Sequence, residues 1–146
     1  IILQKNFFDD TLVTATNLMV EPEWEKMDGL TQKELWVEWT AGANYRVREN
    51  WFAGLEFRNH MEFVDMNLGN QEHSAYFVGP SVHYGSEKYW WTLTFLPQVW
   101  GWPRGLGTGS DGTEITDSRD HLGQHERMEV RFRFGIPLGG EHTHVD

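Results

Sequence analysis

Charged side chains recur at every second position along several segments of the chain. In the segment 127–138, Arg127, Glu129, Arg131 and Arg133 alternate with apolar residues. Successive side chains of a β-strand point to opposite faces, so this spacing places the four charges on one face of a strand. Charges gathered on one face of a barrel can select ions by sign, or they can pair with one another and brace a closed wall.

The same spacing along the rest of the chain predicts a single charged face that looks into a lumen. The residues assigned to this face are Glu21, Glu23, Glu34, Glu38, Arg46, Glu56, Arg58, His60, Glu62, Arg127, Glu129, Arg131 and Arg133. Ion selection and bracing both stay open, because the number of strands sets the diameter of a barrel. If a path exists, the glutamates of the second and third strands favour small cations as solutes.

The histidines do not predict a metal site. His121 and His125 are four residues apart in the sequence, which on a strand separates them by about 13 Å, too far to share one ion. His142 and His144 belong to the tail 139–146, which we expect to be disordered. No metal and no cofactor is therefore predicted.

The long segment before the last strand offers two further patterns. The carboxylates Asp111, Glu114, Asp117 and Asp120 lack the spacing of an EF-hand, so a solvated acidic loop is the preferred interpretation. The glycine-rich stretch 105–112 lacks the helix and lysine that accompany a phosphate-binding loop. We interpret it as a surface loop.

One pair of residues could serve a membrane lipid hydrolase. Ser81 and His83 share the inward face of one segment, and such an enzyme needs a serine and a histidine close together near the lipid. They stand only one step apart along that face, and no third group is evident. We expect no enzymatic activity.

Period-two alternation predicts the elements that hold these residues. Seven strands are expected, over 1–8, 11–24, 33–47, 51–63, 74–84, 89–101 and 127–138. The face opposite the charges is apolar and is predicted to meet lipid through Leu35, Val37, Trp39, Leu55, Phe57, Val78, Val82, Leu93, Phe95, Val130, Phe132 and Phe134. The fold class predicted is all-β: an antiparallel up-and-down transmembrane β-barrel. About seven strands are visible in the sequence, so we expect the barrel to be incomplete.

The connections between these strands alternate in length. Residues 8–10, 48–50 and 85–88 form tight turns, whereas 26–31, 64–73 and 102–123 form longer loops. Short turns at one end and long loops at the other are the outer-membrane pattern. Pro80 and Pro97 lie inside predicted strands and indicate a bulge or an interrupted ladder, because proline has no N–H to donate.

Strand length and aromatic placement favour a membrane over a soluble sheet. Soluble strands usually have about five or six residues, whereas transmembrane strands need roughly nine to eleven. Aromatic residues lie near the strand ends, as in the girdles at the two head-group levels. The girdle residues predicted are Trp24, Tyr45, Trp51, Tyr76, Tyr84, Tyr89 and Trp91. A soluble β-barrel that binds an apolar ligand is the alternative, because alternation alone does not say which face is interior.

Composition excludes several other classes. The net charge of −10 with only 12 Lys and Arg opposes binding to nucleic acid or to anionic lipid surfaces. The chain has no cysteine, so it has no disulfide and no thiolate nucleophile. No apolar run approaches the roughly 18 residues of a transmembrane helix, but the low mean hydropathy of −0.56 is compatible with alternating barrel strands.

The alternating segment 126–138 and the aromatic-rich segment 89–100 resemble the C-terminal part of proteobacterial outer-membrane β-barrel proteins. The resemblance implies residence in the outer membrane, contact with its lipids and with the barrel-assembly machinery, and a structural or passive transport role. Such proteins often end on an aromatic residue, whereas here the strand closes on Ile136 and Leu138 before the tail. Bacterial barrels have even strand numbers of at least eight, so we expect a further strand upstream of Ile1.

Overall fold

A computed structural model describes residues 1–27, 30–103 and 125–137 of the chain. Seven β-strands make up its regular structure. They are β1 (Ile2–Phe7), β2 (Leu12–Met27), β3 (Leu30–Arg48), β4 (Trp51–Val64), β5 (Gln71–Gly85), β6 (Trp90–Pro103) and β7 (Met128–Gly135). The described ranges contain no helix with the length and apolar character needed to cross a membrane.

The strands form one antiparallel sheet in the order of the chain, β1 to β7. Each strand pairs with its sequence neighbour, which is the up-and-down arrangement. The prediction of an all-β antiparallel fold is therefore confirmed. Within the described residues β1 and β7 are the two edges and do not pair with each other. The sheet is thus not closed into a barrel.

Most of the strands are longer than the sequence pattern predicts. The clearest difference is at 26–31, where a longer loop is expected from the sequence. That prediction is wrong, because β2 continues to Met27 and β3 begins at Leu30, so only Asp28 and Gly29 separate them. Asp-Gly is a strong sequence signal for a two-residue hairpin connection, and a shorter connection could have been predicted from it.

Other differences concern the last strand and its neighbours. β7 spans Met128–Gly135, so its strand structure is shorter than the predicted 127–138. Predictions that lie outside the described residues are those for the glycine-rich stretch 105–112, for the tail 139–146, and for Asp111, Glu114, Asp117, Asp120, His121, Leu138, His142 and His144.

The sheet has a tight-turn end and a loop end. The β1–β2, β3–β4 and β5–β6 connections lie at the tight-turn end, where Phe8, Asp9, Asp10 and Asn50 take positive φ angles between 51° and 66°. Such angles suit asparagine and aspartate better than an aromatic residue. The β2–β3, β4–β5 and β6–β7 connections lie at the opposite, loop end.

The charged face of the sheet is concave. Ser81 on β5 donates to Asn44 Oδ1 on β3 at 2.8 Å, although β4 lies between them. Arg58 on β4 reaches Glu129 on β7 at 2.7 Å across two intervening strands. Adjacent strands are about 4.8 Å apart, so side chains on these strands meet only where the sheet curls toward that face. We call this surface the concave face and the opposite one the outer face.

The β5–β6 ladder is interrupted where the two prolines stand. No residues of β5 and β6 pair between Phe77, opposite Gln98, and Ser81, opposite Thr94. A register shift also occurs beside Phe77, where Val99 is the extra residue. The predicted interruption at Pro80 and Pro97 is confirmed. A bulge of this kind bends and twists the sheet locally.

Gly79 lies beside this interruption and cannot carry a side chain without movement of the backbone. A Cβ atom at Gly79 would collide with the carbonyl oxygen of Phe95, whereas a Cβ at Gly42 would lie 3.4 Å from Glu56 Cγ. We expect Gly79→Ala to lower the free energy of unfolding by about 1–3 kcal/mol, the usual cost of overpacking. Gly42→Ala is the matched control and should be close to neutral. Urea titration of both variants measures the difference, and equal stabilities would contradict the close approach.

Candidate functional site

The concave face carries the predicted charged residues. The structure places there Glu21, Glu23, Glu34, Glu38, Arg46, Glu56, Arg58, His60, Glu62, Glu129, Arg131 and Arg133, on β2, β3, β4 and β7. Arg127 precedes β7, is exposed, and accepts a backbone hydrogen bond from Gln98 through its carbonyl oxygen. The alternation places the charges on one face, and the curl brings distant strands together.

Arg58 is the centre of the ion pairs on this face. Its Nε lies 2.7 Å from Glu38 Oε2, and its Nη1 lies 2.7 Å from Glu129 Oε2 and 3.7 Å from Glu126 Oε1. The guanidinium also lies 5.2 Å from the centre of the Phe77 ring. Only 14% of the Arg58 side chain is exposed, so these pairs are largely screened from water.

Arg131 continues the series of alternating charges. Its Nη2 lies 2.8 Å from Glu129 Oε1, and its Nη1 lies 3.9 Å from Glu56 Oε2. Thr94 donates a hydrogen bond of 2.8 Å to the other Glu56 oxygen. Carboxylates and guanidinium groups thus alternate from β3 to β7 across the middle of the concave face. These ion pairs join β3, β4 and β7 across the concave face.

Two cavities flank this layer of ion pairs. One of about 220 Å³ is lined by residues that include Ile2, Asn17, Asn44, Glu56 and Arg133. Because Ile2 is on β1 and Arg133 on β7, both edges of the sheet border one space. The other cavity, of about 200 Å³, is lined by Met19, Glu21, Trp36, Glu38, Arg58 and His60.

Three histidines lie together toward the loop end of the concave face. The ring centres of His60 and His125 are 4.9 Å apart, and those of His73 and His125 are 4.7 Å apart. Burial lowers the pKa of His125 to about 3, with smaller contributions from His73, His60 and Arg58. Of these three histidines, sequence spacing placed only His60 on this face, because His73 and His125 precede the predicted strands 74–84 and 127–138.

The donor atoms of these residues do not already form a metal centre. Within residues 1–27, 30–103 and 125–137, no three His, Asp or Glu side chains are arranged to hold a metal ion. The imidazole rings instead pack edge to face, at 70° for His60 and 65° for His73 relative to His125.

Ser81 and His83, the pair considered for hydrolysis, have separate partners. The Ser81 hydroxyl donates to Asn44, and His83 Nδ1 lies 2.8 Å from Thr92 Oγ1. Both residues are on β5, at the positions that face Gly54 and Phe52 of β4. The structure therefore does not bring them together as a nucleophile and its base.

The outer face is apolar and exposed. It carries the side chains predicted to meet lipid, which are Leu35, Val37, Trp39, Leu55, Phe57, Val78, Val82, Leu93, Phe95, Val130, Phe132 and Phe134. Leu55 is 60% exposed and Phe132 is 64% exposed. Exposure of the two faces is therefore inverted relative to a soluble protein, because Arg58 on the concave face is far more buried than Leu55 and Phe132 on the outer face.

Aromatic residues form a row across the outer face at the tight-turn end. The Trp51 ring centre lies 5.1 Å from that of Tyr84 and 5.5 Å from that of Trp91. Tyr89 continues the row, 5.6 Å from Tyr84 and 6.2 Å from Phe134. Tyr45 lies at the same end, on β3, and is exposed.

A second aromatic group lies toward the loop end. Tyr76 stacks on Trp100 at 5.3 Å, and Trp100 contacts Trp102 at 5.6 Å. Trp24 is exposed near the end of β2. Strict alternation from Tyr89 onward misses Trp100 and Trp102, because the extra residue at Val99 returns them to the outer face.

Asn59 is the polar residue that β4 places on the outer face, and its amide nitrogen is hydrogen-bonded. Its Nδ2 donates to Ser74 Oγ at 2.7 Å and to the Ala75 carbonyl oxygen at 3.1 Å. Asn59 and Ser74 are both buried. The one break in the apolar pattern of β4 therefore exposes little polar surface.

Fold and site together define an all-β protein with one curled antiparallel sheet, charged on its concave face and apolar on its outer face. The chain belongs to the family described as "Family of unknown function (DUF6662)", whose model matches residues 1–138. The match spans all seven strands. No curated protein and no solved structure matches the chain.

Proposed function

We propose that this chain forms the wall of an outer-membrane β-barrel, with its outer face against lipid and its concave face lining a braced lumen. The inverted exposure of the two faces is the observation that carries the proposal. The role is structural, and the partners are outer-membrane lipids and the barrel-assembly machinery.

The hydrophobic effect supports this placement. Among the described residues only Phe63, Ala75, Phe77 and Leu96 are buried apolar residues. Burial of apolar area is the main favourable contribution to folding in water. The outer face instead presents apolar side chains from strand to strand, and exposed patches beyond a few hundred Å² generally mark a membrane or partner surface. A bilayer covers such a face without a second protein layer.

Strand dimensions fit the same environment. β2 to β6 contain 14 to 19 residues, more than the roughly nine to eleven needed to cross the hydrocarbon core. The aromatic groups near both ends of the outer face match the two head-group levels. Unpaired backbone is not tolerated in lipid. The proposal therefore requires β1 and β7 to pair directly or through a further strand.

Curvature distinguishes this proposal from a soluble barrel that binds an apolar ligand. Such a module lines its concave side with apolar residues and turns charges toward water. Here the concave side carries the ion pairs of Arg58 and Arg131, and most apolar side chains point outward. The small buried cluster of Ala75, Phe77 and Leu96 is an apolar part of the concave side. The geometry favours the membrane wall.

Passive passage of small cations is a second candidate role for the lumen. The two cavities beside the ion-pair layer, of about 220 and 200 Å³, are the observation that favours it. Glu21 borders one of them and Glu56 the other. The ion pairs of Arg58 separate these spaces, so conduction would require that layer to open.

Adjacent single-cysteine variants test the membrane proposal. Val20 faces outward and is 55% exposed, whereas its neighbour Met19 faces the concave side and is 45% exposed. The chain has no other cysteine. In cells that export the chain to the outer membrane, we expect Met19→Cys to react with a water-soluble maleimide and Val20→Cys to be protected. A complementary measurement attaches a fluorophore to each cysteine. Quenchers carried on the lipids should reduce the emission of the fluorophore at position 20 and leave that at position 19 unchanged.

Fractionation provides the independent check. The protein should sediment with outer membranes and migrate differently on gels before and after heating. Equal maleimide reactivity at positions 19 and 20, in a chain recovered without detergent as a soluble periplasmic monomer, would contradict the proposal.

A further inference from the structure

A tryptophan on the concave face has carboxylates on all sides. Glu21 of β2 and Glu62 of β4 stand directly opposite Trp36 of β3. Glu34 and Glu38 lie two residues before and after Trp36, on the same face of β3. The face of an aromatic ring is electrostatically negative. Carboxylates are therefore poor neighbours for an indole unless a positive charge lies among them.

The ion pairs of the concave face supply only part of that positive charge. Arg58 pairs with Glu38 and with Glu129 at 2.7 Å each, so two carboxylates share one guanidinium. Glu21 is exposed, and the ion pairs seen among the described residues do not include it. The carboxylates around Trp36 are thus incompletely neutralised.

Trp36 also forms part of the wall of the cavity of about 200 Å³. Trp36 is 36% exposed and Met19 is 45% exposed, so the indole and the thioether both leave apolar surface open beside Glu21. Apolar surface left in water is unfavourable. His60 packs edge to face on the Trp36 ring, with ring centres 5.1 Å apart, which holds the indole in place. The cavity is therefore preformed and suits a small ligand with both apolar surface and positive charge.

The lining selects among cations. Within the described ranges no three His, Asp or Glu side chains are arranged to hold a metal ion, which favours an organic cation. A primary ammonium group has three N–H donors to satisfy, whereas Glu38 already accepts a hydrogen bond from Arg58. A quaternary ammonium ion has no N–H donor, and an aromatic face within about 6 Å attracts its charge. Trp36 and Glu21 together meet that requirement.

We propose that the cavity beside Trp36 binds a small quaternary ammonium ion, with its charge over the indole face and beside the Glu21 carboxylate. Met19 contacts the methyl groups of the ligand. Glu23 and Glu34, which stand opposite each other on β2 and β3, extend the negative potential toward the loop end and attract cations to the site. The site needs only the concave face, so it is independent of the membrane proposal.

Calorimetric titration with choline tests this site on the purified, folded full-length chain, in a detergent without a choline head group. Choline carries a trimethylammonium group, and its neutral isostere has a tert-butyl group of the same shape in that place. We expect one choline to bind per chain and the isostere to show no saturable binding at the same concentrations. Ethanolamine, the unmethylated counterpart of choline, should bind more weakly than choline.

Variants locate the binding. Trp36→Leu should weaken choline binding by about 5- to 30-fold, the range expected for the loss of a cation–π contact, and Glu21→Gln should also weaken it. Trp90→Leu is the matched control, because Trp90 is a concave-face tryptophan of similar exposure, 38%, at the tight-turn end and outside the cavity. It should bind choline as the unmodified chain does.

Three results would overturn the proposal. They are equal affinity for choline and its isostere, unchanged choline affinity in Trp36→Leu, and tighter binding of ethanolamine than of choline. The unmodified chain decides the matter even if a variant misfolds, because a lack of saturable choline binding would also refute the site. The membrane proposal is tested separately, by the labelling of positions 19 and 20.

Discussion

Phe132→Arg is expected to lower the stability of the membrane-inserted protein by about 2–4 kcal/mol, the cost of arginine at the middle of the lipid-facing side of a barrel. Phe132 lies in the middle of β7, faces outward opposite Leu93, and is 64% exposed. In lipid that exposed position is surrounded by hydrocarbon, where a guanidinium has no water or counter-ion. Denaturant titration in phospholipid vesicles, followed by tryptophan fluorescence, measures the loss.

Ile136→Arg is the matched control for this substitution. Ile136 is 60% exposed, almost the same as Phe132, but follows the end of β7. Near the head groups the cost of arginine falls to about 0–1 kcal/mol. In water the costs of the two substitutions would differ by much less, because both side chains are similarly exposed and Phe132 would lose little beyond its contact with the Trp91 ring. Equal tolerance at both positions would therefore refute the lipid placement of the outer face.

Arg58→Met is expected to cost about 3–5 kcal/mol, because it leaves buried carboxylates without their shared cation. Glu38 Oε2 lies 2.7 Å from Arg58 Nε and 3.8 Å from His60 Nδ1, and the Glu38 side chain is only 15% exposed, so the loss of Arg58 removes its permanently charged partner. The substitution affects Glu129 less, because Glu129 still has an ion pair with Arg131 at 2.8 Å. Denaturant titration in the same vesicles measures the change in the free energy of unfolding.

The double variant Glu38→Met/Arg58→Met separates an unpaired charge from lost packing. Removing both partners often has little effect on stability, so the double variant should recover more than half of the loss. Arg46→Met is a second control, because Arg46 contacts the Phe52 ring at 5.3 Å and has no ion pair within the described ranges. It should cost about 0.5–1 kcal/mol. A loss for Arg58→Met no larger than that would show that the pairs do not brace the sheet.

The division of the chain into two faces was predictable because alternation is a local property. Met128 and Glu129, for example, fall on opposite faces whatever the remaining strands do. Pairing between consecutive strands was predictable for a similar reason, since short connections hold neighbouring segments together. The strands, their order and most of the face assignments were therefore predictable from the sequence.

Curvature and the histidine cluster were not predictable from spacing. The direction of the curl follows from contacts such as Arg58 with Glu129, which are 71 residues apart. His73 and His125 meet only because β5 and the residues just before β7 lie over the same face. The register change at Val99 could not be predicted from period-two alternation either. One extra residue in a strand moves every later side chain of that strand to the opposite face.

The order of the sheet has a consequence for how the protein folds. Each strand pairs only with its neighbours in the sequence. Every pairing except that of β6 with β7, which are separated by 24 residues, therefore closes only a short loop. Loop-closure entropy is small for such contacts, and chains dominated by them generally fold faster than those with distant pairings. The sheet can grow one hairpin at a time, with each finished strand serving as template for the next. Only the meeting of its first and last strands would be a long-range event.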